Sequence, residues 1–541
     1  MILVWMIVIL MVGGLLAWFL EKVNASLPRT ISLIAVSITF FMALWLWLGS
    51  MGTEALAEQG NWLINFQAPW IPQLGISFHL AMDGLSLLMI LLTTFLGILA
   101  VLTGWDEIEE RAGFYHFNLL FILAGILGVF VAMDLFLFYF FWEVMLIPMY
   151  FLIGIWGHEN RVYAAYKFFI FTQASGLLML ISIVAMYFIH GQQTGDYSFD
   201  YFALLNTMVS DSLAIWLMLG FLAAFAVKLP VVPVHNWLPD AHTEAPTAGS
   251  LILAGLLLKT GAYGLLRFVL PLFPEASITF APYGMALGVI GILYGAKLAF
   301  SQTDLKRLVA YTSVSHMGFV MLGVFAFNEI ALQGVVMQII THGVSTGALF
   351  IMVGAIQERI HTRDINSMGG LWEKVPRMGV IGLVFVMASL GLPGLGNFIA
   401  EFMTLVGAYQ ASIGMTVLAS LGLIFASVYS LRIMQKVFYG PQQKEWNMPD
   451  FNFREMVVMG SLVAVILWLG FYPMPVLHTS EATMKDVKSK VWHVVEQQSS
   501  SSDTESEPMG MNGKDIGHGI FYRKQQEYRS KNHSLPPFNS L

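Results

Sequence analysis

The sequence predicts an all-α polytopic membrane protein of about 14 transmembrane helices, with helices 7 and 12 discontinuous and two inverted five-helix repeats. Three observations carry this expectation. Hydrophobic residues make up 57% of the 541 positions and charged residues only 11%, where a soluble domain carries about a quarter charged residues. Long apolar runs recur at lengths matching the about 20 residues that cross a hydrocarbon core of about 30 Å. Two of these runs, five apart, share a Leu-Pro pair inside them, Leu229-Pro230 and Leu392-Pro393.

In chain order the apolar runs fall near residues 2–20, 31–49, 81–103, 116–133, 135–155, 164–189, 213–239, 247–270, 282–299, 307–326, 332–356, 377–410, 414–438 and 455–473. The first has no basic residue ahead of it, and Lys22 and Arg29 follow it, so it reads as a retained span rather than a signal peptide. Pro230, Pro233 and Pro239 interrupt the seventh run, and Gly391, Pro393, Gly394 and Gly396 the twelfth. Such residues break the helical ladder inside a membrane.

Lys and Arg collect after the odd-numbered runs: Lys22 and Arg29, Arg111, Arg161, Lys306 and Arg307, the group Arg359, Arg363, Lys374 and Arg377, then Lys444 and Arg454. Segments 51–80 and 191–212 contain acids but no bases. Cytoplasmic loops are the basic ones, so both termini are expected on the external side. Because five is odd, the two broken runs imply repeats of opposite orientation, near 116–270 and 282–438, within a bundle spanning 1–475. A polar patch in the sixth run, Phe168 to Gly176, is matched by one in the eleventh, Gln338 to Gly347. Inverted repeats with paired broken helices are a transporter architecture with its site near the midplane. Beyond residue 476 the chain turns polar and passes through Ser499 to Ser502, so 476–541 is expected to be a largely disordered tail.

Composition also excludes functions. With no Cys there is no disulfide, thiolate-bound zinc or Cys-ligated iron-sulfur cluster in the chain. The net charge of -7, without a basic stripe, argues against nucleic acid as a partner. The sequence contains neither a Walker loop nor an H-E-x-x-H or G-x-S-x-G motif, so nothing points to ATP hydrolysis or hydrolase chemistry.

Ionisable residues at bilayer depth cost several kcal/mol, roughly 2.5–3.5 on insertion scales. Six stand out on six different spans: Glu143, Lys228, Lys259, His316, His342 and Glu401. A lone histidine in a span more often ties two helices together than carries a proton. Six such groups weaken that reading. Burial penalises the charge on a lysine and a nearby carboxylate restores it, so Glu143 and Lys228 suit a switchable pair. Lys259, the two histidines and Glu401 would then be successive proton stations bridged by water.

His235, Asp240 and His242 crowd the end of the seventh span beside Glu244. They suit the mouth of a proton path or its support. His235 and Asp240 also match an H-x4-D acyltransferase pattern, a common hexapeptide. A metal site there lacks ligand spacing, and His316 with His342 as haem ligands rests on a single pair. The residues therefore call for no metal and no cofactor in this chain.

Whole phrases resemble the antiporter-like subunits of respiratory complex I, the proton-translocating NADH-quinone oxidoreductase, and among them the subunit M (chain 13) branch. The phrases are FFWEVMLIPMYFLIGIWG (140–157), FAVKLPVVPVHNWLPDAHTEAPTAGS (225–250), LLLKTGAYGLLRF (256–268), QTDLKRLVAYTSVSHMGF (302–319) and LPGLGNFIAEF (392–402). The resemblance implies that Glu143 and Lys228 form the modulating pair, that Lys259 is the lysine of span eight, and that Glu401 is the terminal residue of span twelve. Sibling subunits and multisubunit sodium/proton antiporters typically carry lysine at that last position, so Glu401 points to the subunit M branch. The resemblance further implies a multi-pass proton channel in a bacterial inner membrane, beside other membrane-arm subunits and especially two sibling antiporter-like ones. Its driving force would be remote quinone reduction, with NADH, FMN, iron-sulfur clusters and quinone held in partner subunits. A subunit of a multisubunit cation/proton antiporter is the alternative.

Overall fold

The structure, a computed structural model, describes residues 1–50 and 62–504. Glu54, Glu58 and the tail beyond 504 lie outside the described residues. Helices α1 (Ile2–Leu20) and α2 (Leu27–Ser50) lead to a hairpin of β1 (Ile64–Ile71) and β2 (Ile76–Met82). Then follow α3 (Gly84–Thr103), α4 (Ala112–Val131), α5 (Leu135–Trp156) and α6 (Arg161–Thr194). The seventh span is broken into α7 (Asp211–Lys228) and α8 (Trp237–Glu244). Next come α9 (Thr247–Leu272) and α10 (Pro274–Ser301), then α11 (Leu305–Val324) and α12 (Glu329–Ile360). The twelfth span is broken into α13 (Pro376–Ser389) and α14 (Gly396–Ala411). The chain closes with α15 (Ile413–Phe438), α16 (Phe453–Phe471) and α17 (Met474–Thr504).

Among the described residues, 12 helices are long and apolar enough to cross a membrane. The other two expected spans are present in different form. The tenth is α11, whose Lys306, Arg307 and hydroxyl residues dilute its apolarity, and the twelfth is the α13–α14 pair. Helix starts follow local chemistry. Asp83 accepts the Ser86 amide, Asp134 those of Phe136 and Leu137, and Asp304 those of Lys306 and Arg307, capping α3, α5 and α11. Asn452 and Glu455 form a capping box on α16.

Helix α9 and the long middle of α12 are wholly buried, and α11 nearly so. Around them, aromatic and aliphatic side chains such as Trp45, Ile181, Trp216 and Ile424 point outward, as lipid-facing surfaces require. The packing order of α4, α5, α6, α7 and α9 recurs as α10, α11, α12, α14 and α15. The first series starts on one face of the bundle and the second on the other, which is the inverted repeat.

The basic loops share one face. Arg29 donates to Ile108 O at 2.9 Å, Trp156 to Glu110 O at 2.9 Å, and Arg454 pairs with Asp106 at 2.6 Å. The opposite face carries the hairpin, whose Gly75 adopts φ 64 against the Tyr197 carbonyl, where a Cβ would stand 1.8 Å away. Two features there depart from expectation. Residues 64–82 form a hairpin, where the sequence reading assigned no element, and 474–504 is helix rather than disordered tail. Helix α17 lies along the hairpin face because Val476, Met484, Val487 and Val491 form a buried stripe. Thr479 accepts from Trp47 Nε1 at 2.9 Å, and Trp492 donates to Phe327 O at 3.1 Å.

Candidate functional site

Lys228 is the last residue of α7, at the negative end of the half-helix. Its side chain is fully buried, and Nζ lies 5.3 Å from the Trp142 ring and 5.2 Å from the Phe168 ring. Cation–π attraction and the helix end therefore support the ammonium, which has no hydrogen-bond partner among the described residues. Glu143, half-buried on α5, accepts from Gln173 Nε2 at 3.4 Å, with Tyr139 alongside. The two groups are neighbours without a direct ion pair among the described residues. Trp142, adjacent to Glu143 in sequence, packs on Lys228.

At the centre the expected residues meet in one buried line. Lys259 sits between two π-type turns of α9, Leu253–Leu257 and Leu265–Val269, a local widening that recurs at functional positions. Its Nζ meets His342 Nδ1 at 2.5 Å and Met317 Sδ at 3.9 Å. The His342 ring lies 5.7 Å from the His316 ring. His316 Nδ1 in turn is 2.9 Å from Glu401 Oε1, while its Nε2 meets Ser389 Oγ and Tyr429 OH, each at 3.3 Å. All four residues are buried. Glu401 Oε2 faces the break between α13 and α14: a Cβ at Gly391, φ 77, would stand 3.1 Å from it. Helices α7 and α9 approach closely at Gly261, where a Cβ would meet Phe225 O at 2.6 Å, which sets Lys228 beside the start of this line.

The residues at the mouth of the seventh span do not form one cluster. Asp240 is held by Lys167 at 2.6 Å and Arg307 at 2.7 Å, so its carboxylate is an anchor between α6, α8 and α11. His242 is buried and stacked on Phe350 at 4.5 Å. His235 packs edge-on against Tyr294. With both Asp240 oxygens engaged by cations, the His–Asp acyltransferase arrangement does not form.

Two residues escaped the sequence reading. Lys306, counted there as a loop base, is fully buried, and its Nζ donates to Ala245 O at 2.6 Å. Glu107, in the loop after α3, accepts from the Thr247 amide at 2.9 Å and its hydroxyl at 3.2 Å. Burial pushes the Glu107 carboxyl up, against the Thr247 hydrogen bonds and the Lys306 charge that pull it down. Nearby, burial together with Lys306 and Arg363 pushes the His158 imidazole down to about 4. Sequence gives no depth for a charge next to a helix end, and no spacing marks either residue.

With this geometry in view, comparison with known proteins gives consistent results. Residues 132–427 match the family described as NADH:quinone oxidoreductase/Mrp antiporter, TM. NADH-quinone oxidoreductase subunit M of Pseudomonas aeruginosa is 54% identical over 496 residues, covering 90% of this chain and 97% of the relative. The subunit M of Escherichia coli is 52% identical over 503 residues, 91% of this chain and 98% of its own. A chain of respiratory complex I from Thermus thermophilus superposes with a TM-score of 0.81 at 31% identity, covering 91% of this chain and 99% of that one. A chain of the Mrp complex from Dietzia gives 0.74 at 22% identity, covering 89% and 97%, a likeness of fold alone.

Proposed function

We infer that this chain, which belongs to the NADH:quinone oxidoreductase/Mrp antiporter membrane-subunit family and to its subunit M branch, moves protons across a bilayer as a membrane-arm subunit of an NADH-quinone oxidoreductase. The observation that carries the reading is the buried line Lys259–His342–His316–Glu401, in which each group can take or give a proton to the next. Lys259 as ammonium donates to His342 Nδ1. His316 donates through Nδ1 to Glu401, and its Nε2 can accept a proton while Ser389 and Tyr429 reorient. Water between the histidine rings completes the hop.

Glu143 and Lys228 are the input. Lys228 is charged when Glu143 is an anion nearby and is released toward neutrality when that anion is lost, which changes the field at Lys259 through the α7–α9 contact. The drive comes from quinone reduction elsewhere in the assembly, felt through packed charges rather than through a redox group here. The iron-sulfur clusters belong to partner subunits, because this chain has no cysteine to hold one, and NADH, FMN and quinone are assigned to those subunits with them. The basic-loop face is cytoplasmic and the hairpin face external. The alternative of a multisubunit cation/proton antiporter is less favoured, since the relatives at 52–54% identity are named subunit M.

The test is the end of the line. Glu401→Ala and Glu401→Gln, in membrane vesicles carrying the assembled complex, are expected to lower NADH-driven proton uptake together with NADH oxidation. Glu401→Lys is expected to be tolerated better, since a desolvated lysine also cycles a proton. Normal pumping by the alanine variant, or lysine as inactive as alanine, refutes the role.

A further inference from the structure

The line described above leaves Lys259 sideways, toward α12 and α11. A second polar column leaves it along α9 toward the hairpin face, through Tyr263 and Arg267, both buried. Tyr263 OH donates to Phe130 O at 2.9 Å and lies 3.2 Å from Ser86 Oγ. Arg267 Nε donates to Tyr263 OH at 3.2 Å, and its guanidinium pairs with Asp83. Asp83 caps α3 and also accepts from Thr483 Oγ1 of α17 at 3.0 Å. The guanidinium is covered by the Trp62 ring at 4.9 Å. Helices α3, α4, α9 and α17 and the start of the hairpin thus converge on one buried cation.

This column differs from the lateral line in chemistry. Lysine, histidine and glutamate exchange protons readily, whereas a guanidinium keeps its proton under all working conditions. It cannot be a station. Paired with Asp83 it carries little net charge and so does not act by repulsion; as a group that neither gives up nor takes a proton, it interrupts hopping along the polar column. A buried ion pair is not needed for stability alone, because apolar residues of similar volume often serve as well.

We propose that Arg267, held by Asp83, Tyr263 and Trp62, with Thr483 fixing Asp83, is a non-exchanging seal that closes the hairpin end of α9. A proton reaching Lys259 then has only the lateral route to Glu401. The proposal rests on the proton-translocation reading above. Arg267 takes no part in the proton line; it sets where that line may not go. Helix α17, absent from the sequence reading, supplies Thr483 to this closure, and the segment before β1 supplies Trp62.

The experiment uses vesicles containing the assembled complex. Two rates are measured: decay of a pre-imposed pH gradient without NADH, and NADH oxidation alongside the NADH-driven gradient. The double variant Asp83→Asn with Arg267→Gln removes the cation without leaving an orphan anion. It is expected to speed the passive decay several-fold and to lower the driven gradient while NADH oxidation continues. Arg267→Lys, which retains a cation but one that can exchange its proton, is expected to leak more than the parent and less than the double variant. Unchanged passive decay in the assembled double variant overturns the proposal, as does an equal fall of oxidation and proton uptake without a leak. Failure of the double variant to assemble while Arg267→Lys assembles makes Arg267 a folding keystone and also overturns it. Glu143→Gln in the same vesicles separates the two ideas: normal pumping there sinks the proton reading, whereas a loss of pumping there with no leak at Arg267 sinks only the seal.

Discussion

Replacing Glu143 with Gln keeps the volume and the acceptor for Gln173 but removes the negative charge beside Lys228. The Lys228 ammonium has no hydrogen-bond partner among the described residues, so that charge counts for more than in a solvated pair. At an effective dielectric near 20 two unit charges in contact attract by about 4 kcal/mol, and neighbours without a direct ion pair, as here, by about half that, roughly 2 kcal/mol. The aromatic faces of Trp142 and Phe168 remain and contribute about 0.5–2 kcal/mol each. Loss of about 2 kcal/mol moves the balance between charged and neutral Lys228 by roughly 30-fold, at 1.4 kcal/mol per factor of ten. Proton uptake and coupled NADH oxidation are therefore expected to fall by about an order of magnitude or more. Glu143→Asp keeps the charge one methylene further back and is expected to lose only a few-fold. The assay is NADH oxidation and proton uptake in vesicles, with assembly checked by native gel. Parental pumping in assembled Glu143→Gln would return this residue to a helix-packing role.

Other expectations follow from the same geometry. His342→Phe removes the nitrogen that meets Lys259 Nζ; losing a hydrogen bond to a charged group, about 1.5 kcal/mol at the low end, is expected to slow proton uptake about tenfold, and an unchanged rate would exclude His342 from the line. A reporter fused after Arg363 should be cytoplasmic and one within 191–212 external, and the reverse labelling would sink the orientation. Asp240→Asn frees Lys167 and Arg307, both partly exposed; it is expected to cost about 1 kcal/mol or less in heat stability and little turnover, and turnover as low as in Glu143→Gln would contradict its role as an anchor. His158 is pushed down to about 4, below its unfolded value of about 6.5. The unfolded chain thus takes up the proton first, so its contribution to stability is full above about 6.5 and declines as pH falls toward 4. His158→Gln should flatten that acid loss, measured as melting of the purified complex at pH 7 and pH 5.

Much of the fold was legible because a span is a long apolar run with few alternatives. The breaks were legible because proline and glycine cannot hold a helical ladder, and α7–α8 and α13–α14 part at the predicted Leu-Pro pairs. Of the site, six ionisable residues inside spans were singled out from the cost of burying them, whereas Arg267, buried in α9, and His116, buried in α4, were not. What the sequence concealed was contact. Asp240 reads equally well as acceptor or anchor until Lys167 and Arg307 are seen on it, and Lys306 reads as a loop base until α11 buries it. The hairpin, by contrast, had a usable signal: Ile64, Phe66 and Ala68 alternate with Asn65 and Gln67, and Ile76, Phe78 and Leu80 with Ser77 and His79, the period of two that marks a strand. Helix α17 is polar overall, yet its stripe of Val476, Met484, Val487 and Val491 was a usable signal.

The two broken helices explain why the sites of the two halves carry opposite charges. In a helix the side chain leans toward the N-terminus. Lys228 closes the half-helix α7 and therefore leans back from the break, into the aromatic pair on α5 and α6, with the negative end of the helix behind it. Glu401 follows the start of α14 by five positions and leans toward that start, so its Oε2 reaches the break at Gly391. There the positive end of the half-helix favours a carboxylate. Each break offers a C-terminal and an N-terminal helix end, and Lys228 uses the first kind while Glu401 uses the second. A cation suits the first and an anion the second. The position each residue takes on its broken helix, not the inversion itself, gives the proton line one basic end and one acidic end, and the central pair Lys259 and His342 joins them.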